Sequence, residues 1–483
     1  MGIDLTGSAT ALLRKIREKT ISAVDLLETQ IQRIESLNPK INGVVFTDVD
    51  QARTRAKAAD EATRNGEWWG PLHGLPMTVK DAFEVEGMVS TGGSSKWKDH
   101  IPDRHSDAVQ RLVDAGAIIF GKTNVPSLSD DFQTYNELYG TTNNPWDHTR
   151  TPGGSSGGAA AALAAGMTPL ELGSDIGGSI RIPAHFCGVY GHKPSYGLIS
   201  MRGHIPPPPG FRNSGDTLSV AGPLARSSAD LEVALSVLAG PKTDDCVAWR
   251  LALPPPRHKN LKDFRVAVWP DDQHCPIENK IVNTIRKVAD QLANSGASVE
   301  ETHPDFTLEK NNELYWSLLS PVISTSYPKK VIEQLKEILE TSSPDDTSPH
   351  VQRARFALIP HREWLSANEH RHRLKGKWHQ FFQRWDVLIC PTTIVTAFKH
   401  LQSPRFIERE LIVDGETRPY IDLMVWAGLA VNSQLPATNV PVGLDIEGLP
   451  VGIQIIGPYL EDRTTIQFGE LLERVTDGFV LPL

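Results

Sequence analysis

Val24, Leu27, Ile31 and Ile34 recur at steps of three, four and three, which places them on one face of a helix. Ser22 opens this run with Asp25 three residues on, an N-cap with a capping-box-like partner. Asn38-Pro39 reads as its stop, since proline lacks an N–H and restricts the residue before it. The first 62 residues as a whole read as helices. From about Pro71 the period changes. Leu75 to Val79 is a short apolar run ending at Lys80, and Asp107 to Ala115 reads as a helix closed by Gly116. Ala117 to Phe120 reads as a short buried strand. Helices alternating with short apolar strands predict a layered α/β sheet.

The pattern continues in the same grammar. Ala159 to Ala165 is almost all alanine, the strongest helix former. The Gly-rich turn at Gly153 to Gly158 is therefore expected to open a buried helix. Val266 to Trp269 begins a further α/β stretch, and residues 276–385 read as mostly helical. Val387 to Cys390 and Val451 to Ile456 read as late strands. Pro206 to Gly210 and Leu253 to Arg257 are proline-rich and read as surface loops.

Composition removes several classes. Lys and Arg number 49 against 58 Asp and Glu, a net charge of −9, so no bulk field attracts nucleic acid or an anionic membrane. The longest nearly apolar stretch, Gly157 to Leu170, is too short and small-sided to span a bilayer. No signal-peptide pattern opens the chain. Met1-Gly2 with Thr6 spells the myristoylation pattern, which is short and often matched by chance. Cys187, Cys246, Cys275 and Cys390 have neither metal nor disulfide spacing, and a reducing cytoplasm follows as the expected compartment. His370 and His372, two apart, do not share a helix face, and no metal is expected.

Between Arg353 and Trp385, eight basic residues and three tryptophans raise an RNA-binding reading. Leu374, Trp378, Phe381 and Trp385, spaced four, three and four, instead form the apolar face of an amphipathic helix.

Glycine is what changes the picture. Of 38 glycines, 11 fall between Gly153 and Gly197, a density that marks tight turns or backbone pressed against a ligand. Gly153-Gly154-Ser155-Ser156-Gly157 spells a nucleophile elbow, but Asn144 to Arg150 before it is no apolar strand. It also lacks the Gly-Lys-Ser/Thr ending of a phosphate-binding loop. A second run, Gly173 to Arg181, places Ser179 24 residues after Ser155. A nucleophilic serine needs backbone amides to hold an oxyanion, which Gly177-Gly178-Ser179 can supply, and a base. Lys80 closes a strand-like run, a place where a lysine is ordinarily solvated. On these residues alone, structural turns and a catalytic serine both stay open.

The run from Pro152 to Ser200, with GGSSGG, DIGGSIRIPA and CGVYGHKPSYG, resembles the amidase signature family. The flanks Gly74 to Asp81, Gly116 to Asn124, Asp386 to Thr392 and Gly448 to Gln454 agree with it, so the likeness covers most of the chain. The resemblance implies a Ser–cis-Ser–Lys triad at Ser179, Ser155 and Lys80. It implies an oxyanion hole of the Ile176, Gly177, Gly178 and Ser179 N–H groups, with Ser156, Asp175 and Arg181 supporting the loop. Lys80 would have to be neutral, a state that burial favours. Gln133 and Tyr135 fall where family members line the substrate site, with core packing the competing reading. His192 and Leu198 stand where relatives more often carry an apolar residue and an arginine, which bears on packing after the catalytic loop.

The fold implied is α/β: a single large domain over 1–483, with a twisted mixed sheet covered by helices on both faces. Within it, helices occupy 1–70, the catalytic core 71–240, a mostly helical cover with a second α/β portion 241–400, and C-terminal strands and a helix 401–483. The expected activity is hydrolysis of a small to medium, partly apolar amide or anilide, with no cofactor. Esters and carbamates suit the same chemistry. The glutamine-hydrolysing subunit of a tRNA-dependent amidotransferase is a further reading, although Tyr420 to Trp426 does not look like that component. The intact triad positions disfavour a non-catalytic binding protein. The expected partner is the small-molecule substrate, with no nucleic acid and no membrane; a homodimer is compatible with the reading.

Overall fold

Ser22 caps the first long helix as its pattern predicts, its Oγ accepting the Asp25 N–H at 2.9 Å. Leu27 and Ile34 are buried on the predicted face, with Val24 and Ile31 packed beside them. The helix does not stop at Asn38-Pro39, however, but runs Ala23–Ile41. A proline here removes one intrahelical donor, and the Asn38 side chain ties down the chain just beyond. Asn38 Oδ1 accepts from the Gly43 and Val44 N–H groups at 2.9 Å each, and Nδ2 donates to the Val44 carbonyl at 2.7 Å. Asn42 closes the helix in the left-handed region, φ 53°.

This computed structural model describes residues 3–210 and 216–482. Met1-Gly2, the start of the lipidation-like pattern, lies outside the described residues. Eleven strands form the main sheet: β1 Val44–Thr47, β2 Pro76–Lys80, β3 Ile118–Thr123, β4 Leu170–Asp175, β5 Tyr190–Lys193, β6 Val220–Ala225, β7 Arg265–Val268, β8 Ser298–Glu301, β9 Val387–Pro391, β10 Ala437–Leu444 and β11 Pro450–Ile456. Their spatial order is β1-β3-β2-β4-β6-β5-β10-β11-β9-β7-β8. β3, β2 and β4 are parallel, as are β9, β7 and β8, and the strands between β4 and β9 pair antiparallel. The result is one domain on a mixed sheet flanked by helices.

Another expectation is corrected. The N-terminal segment is not wholly helical, because β1 pairs antiparallel with β3. The stretch 276–385 is mostly helical as expected, with one strand, β8, paired parallel with β7. Both are four-residue strands at the two edges of the sheet, too short to show a period.

The alanine helix forms as predicted, over Gly157–Ala164, and every one of its residues is buried. A Cβ at Gly158 would run into the Asn124 backbone, so the helix sits closer to its neighbour than larger side chains allow. Helix His361–Arg384 turns Leu374, Trp378 and Phe382 into the core, and Arg373 and Lys377 outward. Packing thus accounts for the aromatic positions, with Phe382 buried in the helix where the pattern named Phe381, which is only partly buried, and with Trp385 buried just past the helix end. Among the described residues, no helix is long and apolar enough to cross a membrane.

Candidate active site

Three chain segments far apart in sequence end at one place. β2 stops at Lys80, β4 stops at Asp175, and the alanine helix starts just after Ser155 and Ser156. Lys80 is fully buried, its Nζ 2.7 Å from Ser155 Oγ and 3.0 Å from Ser174 Oγ. Among the described residues, no carboxylate hydrogen-bonds or ion-pairs with it. Burial lowers its pKa to about 7, against the weaker pull of the Asp175 charge. A substantial neutral fraction at physiological pH leaves Nζ a lone pair able to take a proton.

Ser155 is held in a turn that admits no side chain before it. The Gly154–Ser155 peptide bond is cis. A Cβ at Gly154 would lie 2.5 Å from the Asp131 carbonyl oxygen and 2.7 Å from the Gln133 nitrogen. Ser156 links this turn to the next one: its N–H donates to the Ser179 carbonyl at 3.0 Å, and its hydroxyl to the Ser174 carbonyl at 3.4 Å.

The turn carrying Ser179 runs between β4 and helix Arg181–Cys187. Asp175 shapes it from within, Oδ1 accepting the Gly178 N–H at 2.9 Å and Oδ2 the Ile180 N–H at 3.1 Å. Arg181 grips the same carboxylate with two nitrogens, Nε at 3.0 Å and Nη2 at 2.8 Å. Burial alone would raise the Asp175 pKa, but Arg181, Lys193 and the Gly178 N–H together outweigh it and hold the carboxyl below its ordinary range. Arg181 is anchored in turn by the Ala427 carbonyl at 2.9 Å and by Gln454.

Of the four N–H groups named for the oxyanion, that of Gly178 is therefore engaged by Asp175. Those of Ile176, Gly177 and Ser179 find no acceptor among the described residues. The space beside Gly177 is walled by Met424, Tyr315 and Phe132, whose atoms would lie 3.6, 3.7 and 3.8 Å from a Cβ there. Phe132 packs against Phe406 and Tyr420 at 5.6 and 5.7 Å between ring centroids. The mouth of the turn is mainly apolar.

Gln133 and Tyr135 lie beyond this wall, with their polar atoms bonded inside the chain. Gln133 accepts the Leu401 N–H at 2.8 Å and donates to the Leu401 carbonyl and to Tyr420 Oη. Tyr135 donates to Asp131 at 2.9 Å and accepts from Arg409 at 2.7 Å. Asp131 and Arg409 form a buried ion pair at 2.6 Å that ties this loop to the segment near residue 409. His192, at an atypical position, is buried with Nδ1 2.9 Å from Thr438 Oγ1 and Nε2 3.2 Å from Asp462. Leu198 is buried too.

Sequence reasoning missed Ser174 and His204, which meet at 2.8 Å beside Lys80. Ser174 was visible as the residue before Asp175, but nothing local marked His204. Among the described residues, no group of three or more His, Cys, Asp or Glu side chains is arranged to hold a metal.

A buried lysine against a serine at the strand ends of a large, helix-flanked mixed sheet defines a class of hydrolase acting on amides. The family model named Amidase matches residues 25–466, and the chain belongs to that family, the amidase signature hydrolases. It is 32% identical to a glutamyl-tRNA(Gln) amidotransferase component from Acaryochloris marina (strain MBIC 11017), over 97% of this chain and 98% of that protein. A chain of the vestigial complex described as revealing the evolutionary origins of an s-triazine catabolic enzyme superposes with a TM-score of 0.82 at 27% identity, covering 99% of this chain and 100% of that one. A bacterial aryl acylamidase of the amidase signature family superposes with a TM-score of 0.80 at 26% identity, covering 97% and 96%.

Proposed function

We propose that the protein hydrolyses the carbon–nitrogen bond of a small to medium, partly apolar amide or anilide through an acyl-enzyme on Ser179. The observation that carries this reading is the buried Lys80 Nζ, 2.7 Å from Ser155 Oγ, with its pKa depressed to about 7. Ser179 Oγ attacks the carbonyl carbon while its proton passes to Ser155, whose own proton passes to the neutral Lys80. The oxyanion is held by the Ile176, Gly177 and Ser179 N–H groups, each donor being worth about 3 kcal/mol in such a site. The C–N bond then breaks, and the leaving nitrogen takes a proton back from Lys80 through Ser155. Water attacks the resulting ester by the reverse relay and frees Ser179. Phe132, Tyr315 and Met424 favour an apolar substituent beside the scissile bond, and the absence of metal or disulfide spacing among the cysteines favours a cytoplasmic enzyme.

Ser179→Ala tests the assignment on a chromogenic anilide such as 4-nitroacetanilide. Loss of about a thousandfold or more in kcat is expected, and turnover within about threefold of wild type would sink it. Parallel assays with 4-nitrophenyl esters and carbamates rank the alternative acyl donors. A second reading, the glutamine-hydrolysing subunit of a tRNA-dependent amidotransferase, is favoured by the name of the 32% identical relative. Strong glutaminase activity together with co-purifying subunits would establish it over the first.

A further inference from the structure

The Lys80 ammonium or amine has a second partner that the triad does not use. Ser174 Oγ lies 3.0 Å from Nζ and 2.8 Å from His204 Nε2. His204 Nδ1 lies 2.8 Å from the Pro206 carbonyl oxygen. A carbonyl only accepts, so Nδ1 carries the ring proton. Burial depresses the His204 pKa to about 4, with the Lys80 charge adding to the effect, so the ring is neutral and Nε2 is an acceptor. The Ser174 hydroxyl must then donate to His204, and toward Lys80 it can only accept. The ring is fixed in this role. The Glu84 N–H donates to the Gly203 carbonyl at 2.8 Å, and the Ile205 N–H to Ala82 at 2.7 Å, so His204 is stitched to the residues that follow Lys80. Phe83 packs edge-on against the ring at 5.0 Å.

We propose that His204, acting through Ser174, is a positioning residue that reserves the Lys80 lone pair for Ser155. This rests on the reading of Lys80 as the base. A neutral amine has two N–H donors and one lone pair. With Ser174 polarised toward His204, one N–H of Lys80 points at Ser174 and the lone pair is left for the Ser155 hydroxyl. Without His204, the Ser174 hydroxyl can turn and donate to Nζ, where it competes with Ser155 for the same lone pair. The histidine thus sets the direction of the relay without touching the substrate.

The test uses the rate at which a fluorophosphonate labels Ser179, which needs no knowledge of the natural substrate. His204→Phe keeps the bulk against Phe83 and removes the acceptor; labelling is expected to slow by about 10- to 100-fold, a part of what a general base supplies. Adding Ser174→Ala removes the competitor, so the double variant should label faster than His204→Phe alone. A merely structural role for His204 predicts the opposite, a further loss. Wild-type labelling by His204→Phe, or a double variant no faster than the single one, overturns the proposal. On the unaltered protein, ¹⁵N-histidine NMR should show His204 as the neutral Nδ1–H tautomer at pH 7, and the Nε2–H tautomer would overturn it even should His204→Phe fail to fold. Labelling that persists in Ser179→Ala would instead sink the nucleophile assignment. Abolished labelling there, with His204→Phe unimpaired, would sink the lone-pair argument alone.

Discussion

Acidifying the medium should switch the enzyme off through a single buried group. Lys80 must be neutral to take the Ser155 proton, and burial places its pKa at about 7. Protonation fills the lone pair, so activity is present above this value and lost below it. About nine-tenths of the protein carries the neutral amine at pH 8, roughly a tenth at pH 6 and about a hundredth at pH 5. An ordinary lysine near 10.5 would be only about 0.3% neutral at pH 8, so burial raises the supply of base roughly 300-fold. The measurement is kcat/KM for an uncharged anilide from pH 5 to pH 9. It should rise about tenfold per pH unit up to pH 6.5 and then level off. Two other buried groups titrate nearby: Lys193, lowered to about 7 by burial and Arg181, and Glu171, raised to about 8 by burial. Neither contacts Lys80, so Lys193→Met and Glu171→Gln should keep the limb where it is. A kcat/KM at pH 6 within about twofold of that at pH 8 would refute the reasoning. So would a limb that vanishes in Lys193→Met while turnover persists.

Two stability measurements probe the turns themselves. Gly154→Ala drives a methyl to 2.5 Å from the Asp131 carbonyl, and urea denaturation should show a loss of about 2–3 kcal/mol; a change under about 0.5 kcal/mol would mean the turn has room to spare. Arg181→Met leaves the buried Asp175 charge without its partner, at a cost of about 3–5 kcal/mol, and a loss below about 1 kcal/mol would show that Asp175 is solvated or protonated instead.

Local pattern carried the reading where local forces decide the structure. The face of Val24, Leu27, Ile31 and Ile34 was legible because a helix buries one stripe, and the alanine run because only small side chains pack that tightly. Pro39 misled because the support it receives is a side-chain network from Asn38 that no periodicity announces. β1 and β8 were invisible because four residues cannot display an alternation. The resemblance to amidase signature proteins pointed to Lys80, Ser155 and Ser179; in the structure Lys80 Nζ meets Ser155 Oγ, and the Ser156 N–H meets the Ser179 carbonyl. It could not say that the Gly178 N–H is engaged by Asp175, since that depends on the curl of the turn. Nor could it reveal His204, whose partner Ser174 lies 30 residues earlier on a strand, or Arg409, which meets Asp131 across 278 residues.

The anchoring of Arg181 by Ala427 and Gln454 reaches beyond the finished molecule to its synthesis. Lys80, Ser155 and Ser179 have all left the ribosome long before Gln454, which follows Arg181 by 273 residues. At about 5–20 residues per second the growing chain carries Arg181 for roughly 14 to 55 s before Gln454 is made to brace it. Arg181 therefore waits for Gln454 while the intervening chain is made, and the turn carrying Ser179 gains this brace late.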